Sequence, residues 1–426
     1  MAGETELKKS ITWLEGTAMT IGAVIGAGVL ALPAVAAVAA GPASLLSWSL
    51  TGLITLPMLI AIASMSSRYP NSGGMAAYAQ QAFGPGMGRL SGFLVLIAMP
   101  IGAPPTLIIG ANYLGGIFGW SSGAVHLLTA VMCVATVAVN YRGIEISGRT
   151  QVVVVSAILG IMLFVVFSAL PEVRASEFRP FFPAGIAPVG REMSLIFFAY
   201  LGWEMIGHLA EEFRSPRRDI PVSLGIAFVV VNIVYLAVAL VVVGTGVYKT
   251  GNPSVALATL VGGRYGAAAA NLVSVLGCFV CFCPIITYVA GFSRLAYALA
   301  RDGYLPKRLG ELHPRWHTPV NALLAITPVL LGITFASWAF SIDLNPLLSI
   351  PSATFLLVYV IGMFSAAKVL PTRTGRAAGF LGGLLSLFVF LMSGWYMVLP
   401  LAVTLFFVIR YRKDFIGSQR DREAGR

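Results

Sequence analysis

Two words in this chain put flexible or ionisable residues where a purely apolar helix has no use for them. The first is Gly22-Ala-Val-Ile-Gly26-Ala27-Gly28, three glycines in the middle of a long uncharged run. Each glycine weakens a helix by about 1 kcal/mol relative to alanine. Two readings fit: close helix–helix packing through Gly22 and Gly26, or a broken helix. In the second reading the far half-helix presents unpaired N–H groups and its positive dipole end to an anionic group in mid-membrane. The second word is Phe197-Phe-Ala-Tyr-Leu-Gly-Trp-Glu204, in which Gly202 stands close to the acid that reads as the only one deep in a span. An ionised carboxylate is costly in hydrocarbon, so Glu204 is a functional candidate by default, here as a proton acceptor. Its other reading is a protonated carboxyl that ties two helices by a hydrogen bond. His208, one turn further on, reads as a packing residue.

Other reactive side chains form no convincing constellation. Cys278, Cys281 and Cys283 spell CFVCFC, but no histidine or carboxylate accompanies them in their apolar run, so packing is the better reading and neither a metal site nor a disulfide framework follows. The four histidines, His126, His208, His313 and His317, make no ligand set, and no pair of acids lies within the spans. Both facts weigh against an intramembrane enzyme. A channel would show a repeated filter or rings of charge, and neither is visible. No cofactor is expected.

The elements that must hold these residues are membrane helices. Of 426 residues, 58% are hydrophobic and 11% charged, where a soluble domain has about a quarter charged. Runs of the roughly 20 apolar residues that span a bilayer recur from Ile11 to Tyr411 and leave no room for a soluble domain. The net charge of +11 is scattered through loops and forms no patch for nucleic acid. The small-residue run 34–40 resembles a signal-peptide cleavage site, but the apolar run is far longer than the roughly 7 to 15 residues of a signal core, so the N-terminus is expected to stay. Apolar runs predict spans near 12–40, 44–66, 90–118, 124–139, 151–170, 193–210, 222–247, 265–299, 319–340 and 344–366. The remaining run, 377–409, is read as a hairpin turning at Gly394-Trp395. All but Arg174, Arg179, Arg191, Lys249 and Arg264 of the 28 lysines and arginines then fall on one side, as expected for the cytoplasmic face. Twelve helices with both termini cytoplasmic satisfy this bias. The two glycine-bearing words fall in helices 1 and 6, corresponding places in an inverted repeat of five plus five.

Four words together resemble the amino acid–polyamine–organocation superfamily of transporters. They are Ile25-Gly-Ala-Gly-Val29; Arg68-Tyr-Pro-Asn-Ser-Gly-Gly-Met-Ala-Ala-Tyr78 with Phe83-Gly84; Glu204 with Glu211-Glu-Phe-Arg-Ser-Pro-Arg-Arg-Asp-Ile-Pro221; and Arg301-Asp-Gly-Tyr-Leu-Pro306 with Thr318-Pro319. The resemblance covers roughly 12–411. Length, the short final hairpin and Ile342-Asp-Leu-Asn345 at the start of helix 10 look most similar to a bacterial branch that exports methionine and branched-chain amino acids.

The resemblance implies an all-α, LeuT-like membrane fold in one domain, with a first repeat over about 12–170, a second over about 193–366 and the hairpin over about 377–411. It implies a substrate carboxylate on the N–H groups of Ala27, Gly28 and Val29, beside Gly26. The ammonium group would meet the carbonyls of Val24, Ile25, Phe198 and Leu201. Phe198 and Tyr288 take gating positions, and Glu204 with Tyr200 and Trp203 stands where gating or proton coupling occurs. Backbone dipoles can compensate a zwitterion without a buried counter-charge, and apolar walls favour methionine, leucine, isoleucine or valine. Relatives that couple to protons often carry a lysine seven residues after the glutamine that begins helix 5. Here that position, after Gln151, is Ile158, so the coupling ion, H+ or Na+, stays open. An importer or exchanger is the alternative. The expected partners are the small substrate and the lipid bilayer.

Overall fold

The structure, a computed structural model, describes residues 9–71, 73–142, 148–301 and 303–411. Among the described residues the helices are arranged as twelve candidate crossings of the bilayer. Crossing one is divided. Its first part, α1 (Trp13–Val24), starts at a capping box in which Thr12 Oγ1 accepts from the Glu15 N–H and the Glu15 carboxylate accepts from the Thr12 N–H. After Ile25 and Gly26 it resumes as α2 (Ala27–Ala40). Crossing two is α3 (Ser44–Arg68). A short helix, α4 (Gly74–Phe83), precedes α5 (Pro85–Phe118), and α6 (Ser122–Tyr141) and α7 (Gly148–Ala169) complete the first five.

Crossing six is divided again, into α8 (Ala187–Ile196), a tight turn over Phe197–Tyr200 and the four-residue α9 (Met205–His208). It is followed by α10 (Pro216–Thr245), the short α11 (Ala256–Tyr265), α12 (Ala267–Arg301), α13 (Val320–Ala339) and α14 (Leu344–Val369). Helices α15 (Arg373–Met392) and α16 (Val398–Arg410) form the closing hairpin, turning at Gly394–Met397.

The second five helices repeat the layout of the first upside down. In each set the first crossing is broken, and a ten-residue helix after the second ends at a glycine, Gly84 or Gly266, from which the longest helix of the set departs at once. These longest helices, 34 residues in α5 and 35 in α12, pack against each other in the interior. Their contact explains the cysteine word: a side chain on Gly110 of α5 would lie 2.8 Å from Cys281 Cβ, so Cys278 and Cys281 close against a glycine.

Nine stretches among the described residues are long and apolar enough to span, with Ala27–Arg68 counted as one. Crossing six fails that test because it is broken, and α16 because its 13 residues rise only about 20 Å. Burial sorts the rest: 83% of the apolar window of α14 is covered, against 33% for α6 and α13. Thus α14 lies inside the bundle while α6 and α13 face lipid. Exposed Leu127, Val131, Phe167, Ile233 and Phe335 belong to that lipid face. Exposed Trp120, Trp338 and Trp395 sit at the less basic ends of their helices, as interfacial anchors do.

Two expectations for crossing six need correction. The helix starts six residues before the apolar run, because Pro188 suits a first turn and Arg191 and Glu192 still lie within the helix. Glu192 is 5% exposed, and its Oε2 has no hydrogen-bond partner among the described residues. Glu204 is therefore not the only acid buried in a crossing.

At the basic end, the segment before α1 is clipped to the segment after crossing six. Ile11 and Phe213 form a parallel bridge. The Ser10 and Ile11 N–H groups donate to the Glu212 carbonyl at 2.9 and 3.0 Å, and the Arg214 N–H donates to the Ile11 carbonyl at 3.0 Å.

Candidate functional site

Both breaks are real, and they meet. Ile25 is extended (φ −78°, ψ 100°) and caps α1, while α2 starts from Gly26 with no side-chain cap. The N–H groups of Ala27, Gly28 and Val29 form the first turn of α2, where helix geometry supplies no intrahelical acceptor. In crossing six the chain turns extended at Leu201 (φ −73°, ψ 149°) and left-handed at Gly202 (φ 117°). That angle favours glycine, and here space demands it too, since a Cβ on Gly202 would stand 2.7 Å from the Ala23 carbonyl oxygen.

The reciprocal contact is Gly28 against Ala199: a Cβ on Gly28 would lie 2.5 Å from Ala199 Cβ and 2.7 Å from its Cα. Gly26 looks the other way, toward Pro284 of α12 at an ordinary 3.6 Å. The glycines of the first word thus serve different purposes, Gly28 for contact with crossing six and Gly26 for the turn itself.

One hydroxyl bridges the two breaks. Tyr235 of α10 donates to the Val24 carbonyl at 2.9 Å and to the Ala199 carbonyl at 2.8 Å. Sequence reasoning missed this residue. The available signal was Asn232 and Tyr235, polar groups one turn apart in the otherwise apolar run of crossing seven. Tyr235 belongs to an aromatic cluster with Trp48 and Tyr200, each with ring centroids 5.2 Å from its own. The Tyr200 hydroxyl donates to Asn232 Oδ1 at 2.9 Å, so Tyr200 is engaged on the crossing-seven side of the break.

Glu204 is 7% exposed. Its Oε2 accepts from the Gly202 N–H at 3.0 Å and from the Tyr359 hydroxyl of α14 at 2.6 Å. These bonds fix the left-handed turn and tie crossing six to crossing ten. Its Oε1 is buried with no hydrogen-bond partner among the described residues. The carboxyl therefore has one oxygen committed to structure and one available to exchange a proton or meet a ligand. Tyr359 is a second residue that the sequence reading missed.

The other candidates distribute as follows. Val24, Ile25, Ala27, Val29, Leu201 and Trp203 are buried at the two breaks. Phe198 is partly exposed, and its ring and Pro351 of α14 both lie against Gly102 of α5. Tyr288 of α12 is close enough to Glu204 and Tyr235 for electrostatic interaction. Ile158, at the position of the absent lysine, is 6% exposed in the hydrophobic core. The arrangement offers N–H donors on one half-helix, carbonyl acceptors on the other, aromatic walls and a single carboxyl.

Residues 11–415 match the family model described as amino acid permease. The chain is 36% identical to the uncharacterized amino acid permease YecA of Bacillus subtilis over 93% of both chains. It is 30% identical to the L-methionine/branched-chain amino acid exporter YjeH of Escherichia coli, over 91% of this chain and 93% of the relative. Among solved structures, the manganese transporter of Eremococcus coleocola superposes with a TM-score of 0.62 at 14% identity, over 96% of this chain and 94% of that one. A likeness at that identity speaks for the fold alone, a LeuT-like helical bundle.

Proposed function

We propose that this chain, which belongs to the amino acid permease family, carries small neutral apolar amino acids, methionine, leucine, isoleucine and valine, and that it works as an exporter. The observation that carries this reading is the interlock of the two breaks. Around it, charge compensation is supplied by backbone dipoles and a single carboxyl rather than by fixed ion pairs. A zwitterion suits that setting: its carboxylate meets the N–H groups of Ala27, Gly28 and Val29, and its ammonium meets the carbonyls of Val24, Ile25, Phe198 and Leu201. The Val24 carbonyl already accepts from Tyr235, so the ammonium takes its second lone pair. Phe198 and Tyr288 close the pocket, and Glu204, beside Tyr200 and Trp203, links transport to a proton. The similarity to YjeH supports the substrate class and direction.

The similarity to bacterial permeases supports an inner-membrane location, and the basic-residue bias supports cytoplasmic termini. The repeats run over about 12–170 and 193–366. The absence of the helix 5 lysine leaves a second reading, a proton- or sodium-coupled importer or exchanger.

Counterflow in proteoliposomes tests the substrate class. One methylene changes affinity by only about 1 to 3 kcal/mol in an apolar pocket, so methionine and leucine should compete with each other, and arginine and glutamate with neither. Strong inhibition by arginine with none by leucine refutes the neutral-substrate reading. Loss of accumulation on collapsing a pH gradient, with indifference to sodium, supports proton coupling.

A further inference from the structure

We propose that a groove between crossings two and seven, at the basic end of the bundle, binds the phosphate headgroup of an anionic phospholipid. The groove, about 420 Å³, is lined by Ser67, Arg68, Pro70, Ser215, Pro216, Arg217 and Arg218. Arg68 is the last residue of α3, and Pro216 is the first of α10. Both belong to spanning stretches, so the groove opens at the membrane surface.

Three features point to a lipid. First, none of the guanidinium groups of Arg68, Arg217 and Arg218 makes an ion pair or hydrogen bond among the described residues. The nearby Asp219 is buried in the first turns of α10, where its Oδ2 accepts from the Ser215 N–H at 3.3 Å. Neighbouring Arg214 is likewise engaged, its Nε donating to the Ser10 carbonyl. Three unpaired cations around one cleft, beside the positive end of a 30-residue helix, form a phosphate site in charge and geometry.

Second, the arginines head apolar stripes that run into the bilayer. On α3 Leu53, Leu56 and Ile60 are exposed along the helix that ends at Arg68. On α10 Arg218 is followed at helical spacing by the exposed Val222, Ile226, Val229 and Ile233. These helices pack side by side, so the stripes make two rails for acyl chains beneath a basic head. A free phosphate or nucleotide has no use for the rails, whereas a phospholipid uses both halves.

Third, the site adjoins the clip between the two broken crossings. Ser215 lies two residues after Phe213, which is bridged to Ile11, so a bound headgroup bears on the basic end of both broken crossings and would favour the conformation shown here.

The test uses the full chain purified in a neutral detergent, titrated with phosphatidylglycerol, phosphatidylcholine or inorganic phosphate. Melting temperature and native mass spectrometry are the readouts. Phosphatidylglycerol should stabilise and be retained in preference to phosphatidylcholine, and salt should weaken that preference. Each arginine should contribute about fivefold in apparent affinity, so R68Q/R217Q/R218Q should abolish the preference. If the triple variant melts early in detergent alone, R217Q carries the test with its single fivefold loss. Equal effects of the two lipids, an unchanged preference in the variants, or reproduction of the whole shift by inorganic phosphate would each overturn the proposal.

Discussion

Removing one oxygen atom tests whether the two helix breaks are held as a unit. Tyr235→Phe keeps the ring and its edge contacts with Trp48 and Tyr200, and deletes only the hydroxyl shared by the Val24 and Ala199 carbonyls. The hydroxyl has one proton, so the bonding removed is that of one ordinary hydrogen bond, about 1 kcal/mol. What remains matters more, because a buried carbonyl left without a donor costs about 1 to 3 kcal/mol. Val24 and Ala199 each flank a break, where the regular helical donor is displaced. A net loss of about 2 kcal/mol is expected, the larger value following only if neither carbonyl finds a new donor.

In a thermal unfolding experiment read by tryptophan fluorescence, a loss of that size lowers the melting temperature by a few degrees. The matched control is Tyr113→Phe, whose hydroxyl donates to the Leu30 carbonyl at 3.2 Å, further along α2 and away from the break. It should lose about 1 kcal/mol and leave the KM for methionine counterflow unchanged, whereas Tyr235→Phe should also raise KM, because the Val24 carbonyl that faces the ammonium is no longer fixed. If Tyr235→Phe matches wild type in both melting temperature and KM, the hydroxyl does not hold the site.

Gly28→Val should destabilise the fold as well as abolish transport, since its side chain meets the Ala199 backbone, while Gly26→Ala, with only Pro284 at 3.6 Å, should fold normally; comparing expression and melting of the two separates them. Glu204→Gln keeps an acceptor for the Gly202 N–H and the Tyr359 hydroxyl but cannot titrate, so counterflow should persist and lose its dependence on pH; profiles superimposable on wild type would end the proton-coupling reading. On the less basic face, the hydrogen bond from Lys249 Nζ at 2.5 Å, then the charges of Lys249 and Arg174, hold the Glu177 carboxyl below its usual range. That contribution is present in full above the ordinary carboxylate value of about 4.3 and lost as pH falls through the lowered one. With Lys249 more than half exposed, Glu177→Gln should cost under about 1 kcal/mol at neutral pH and nothing in acid, measured as melting temperature against pH.

Much of this arrangement was legible because it is written in residues that membranes disfavour. Three glycines in one apolar run and Gly202 beside Glu204 marked both breaks, and charge bias marked the hairpin turn at Gly394-Trp395, where the structure has it. The start of crossing six was not legible, because an apolar-run criterion stops at Arg191 and Glu192, whereas helix formation needs only backbone geometry and a suitable first turn at Pro188. Tyr235 and Tyr359 were hidden for another reason. Both sit in runs so largely apolar that periodicity does not say which way a hydroxyl points. Their partners include a backbone carbonyl and a carboxylate more than a hundred residues distant, at Val24 and Glu204.

The clip between Ile11 and Phe213 also sets a schedule for synthesis. Its two sides are 204 residues apart at the Arg214 to Ser10 bond, and translation proceeds at about 5 to 20 residues per second. The first crossing must therefore wait roughly 10 to 40 s in the membrane, its inner end unpaired, while five more helices are inserted. During that interval the Thr12–Glu15 capping box is among the local contacts that secure the start of α1. Damage to that box should then appear first as a defect in assembly during chain growth, and only secondarily as a defect in the finished protein.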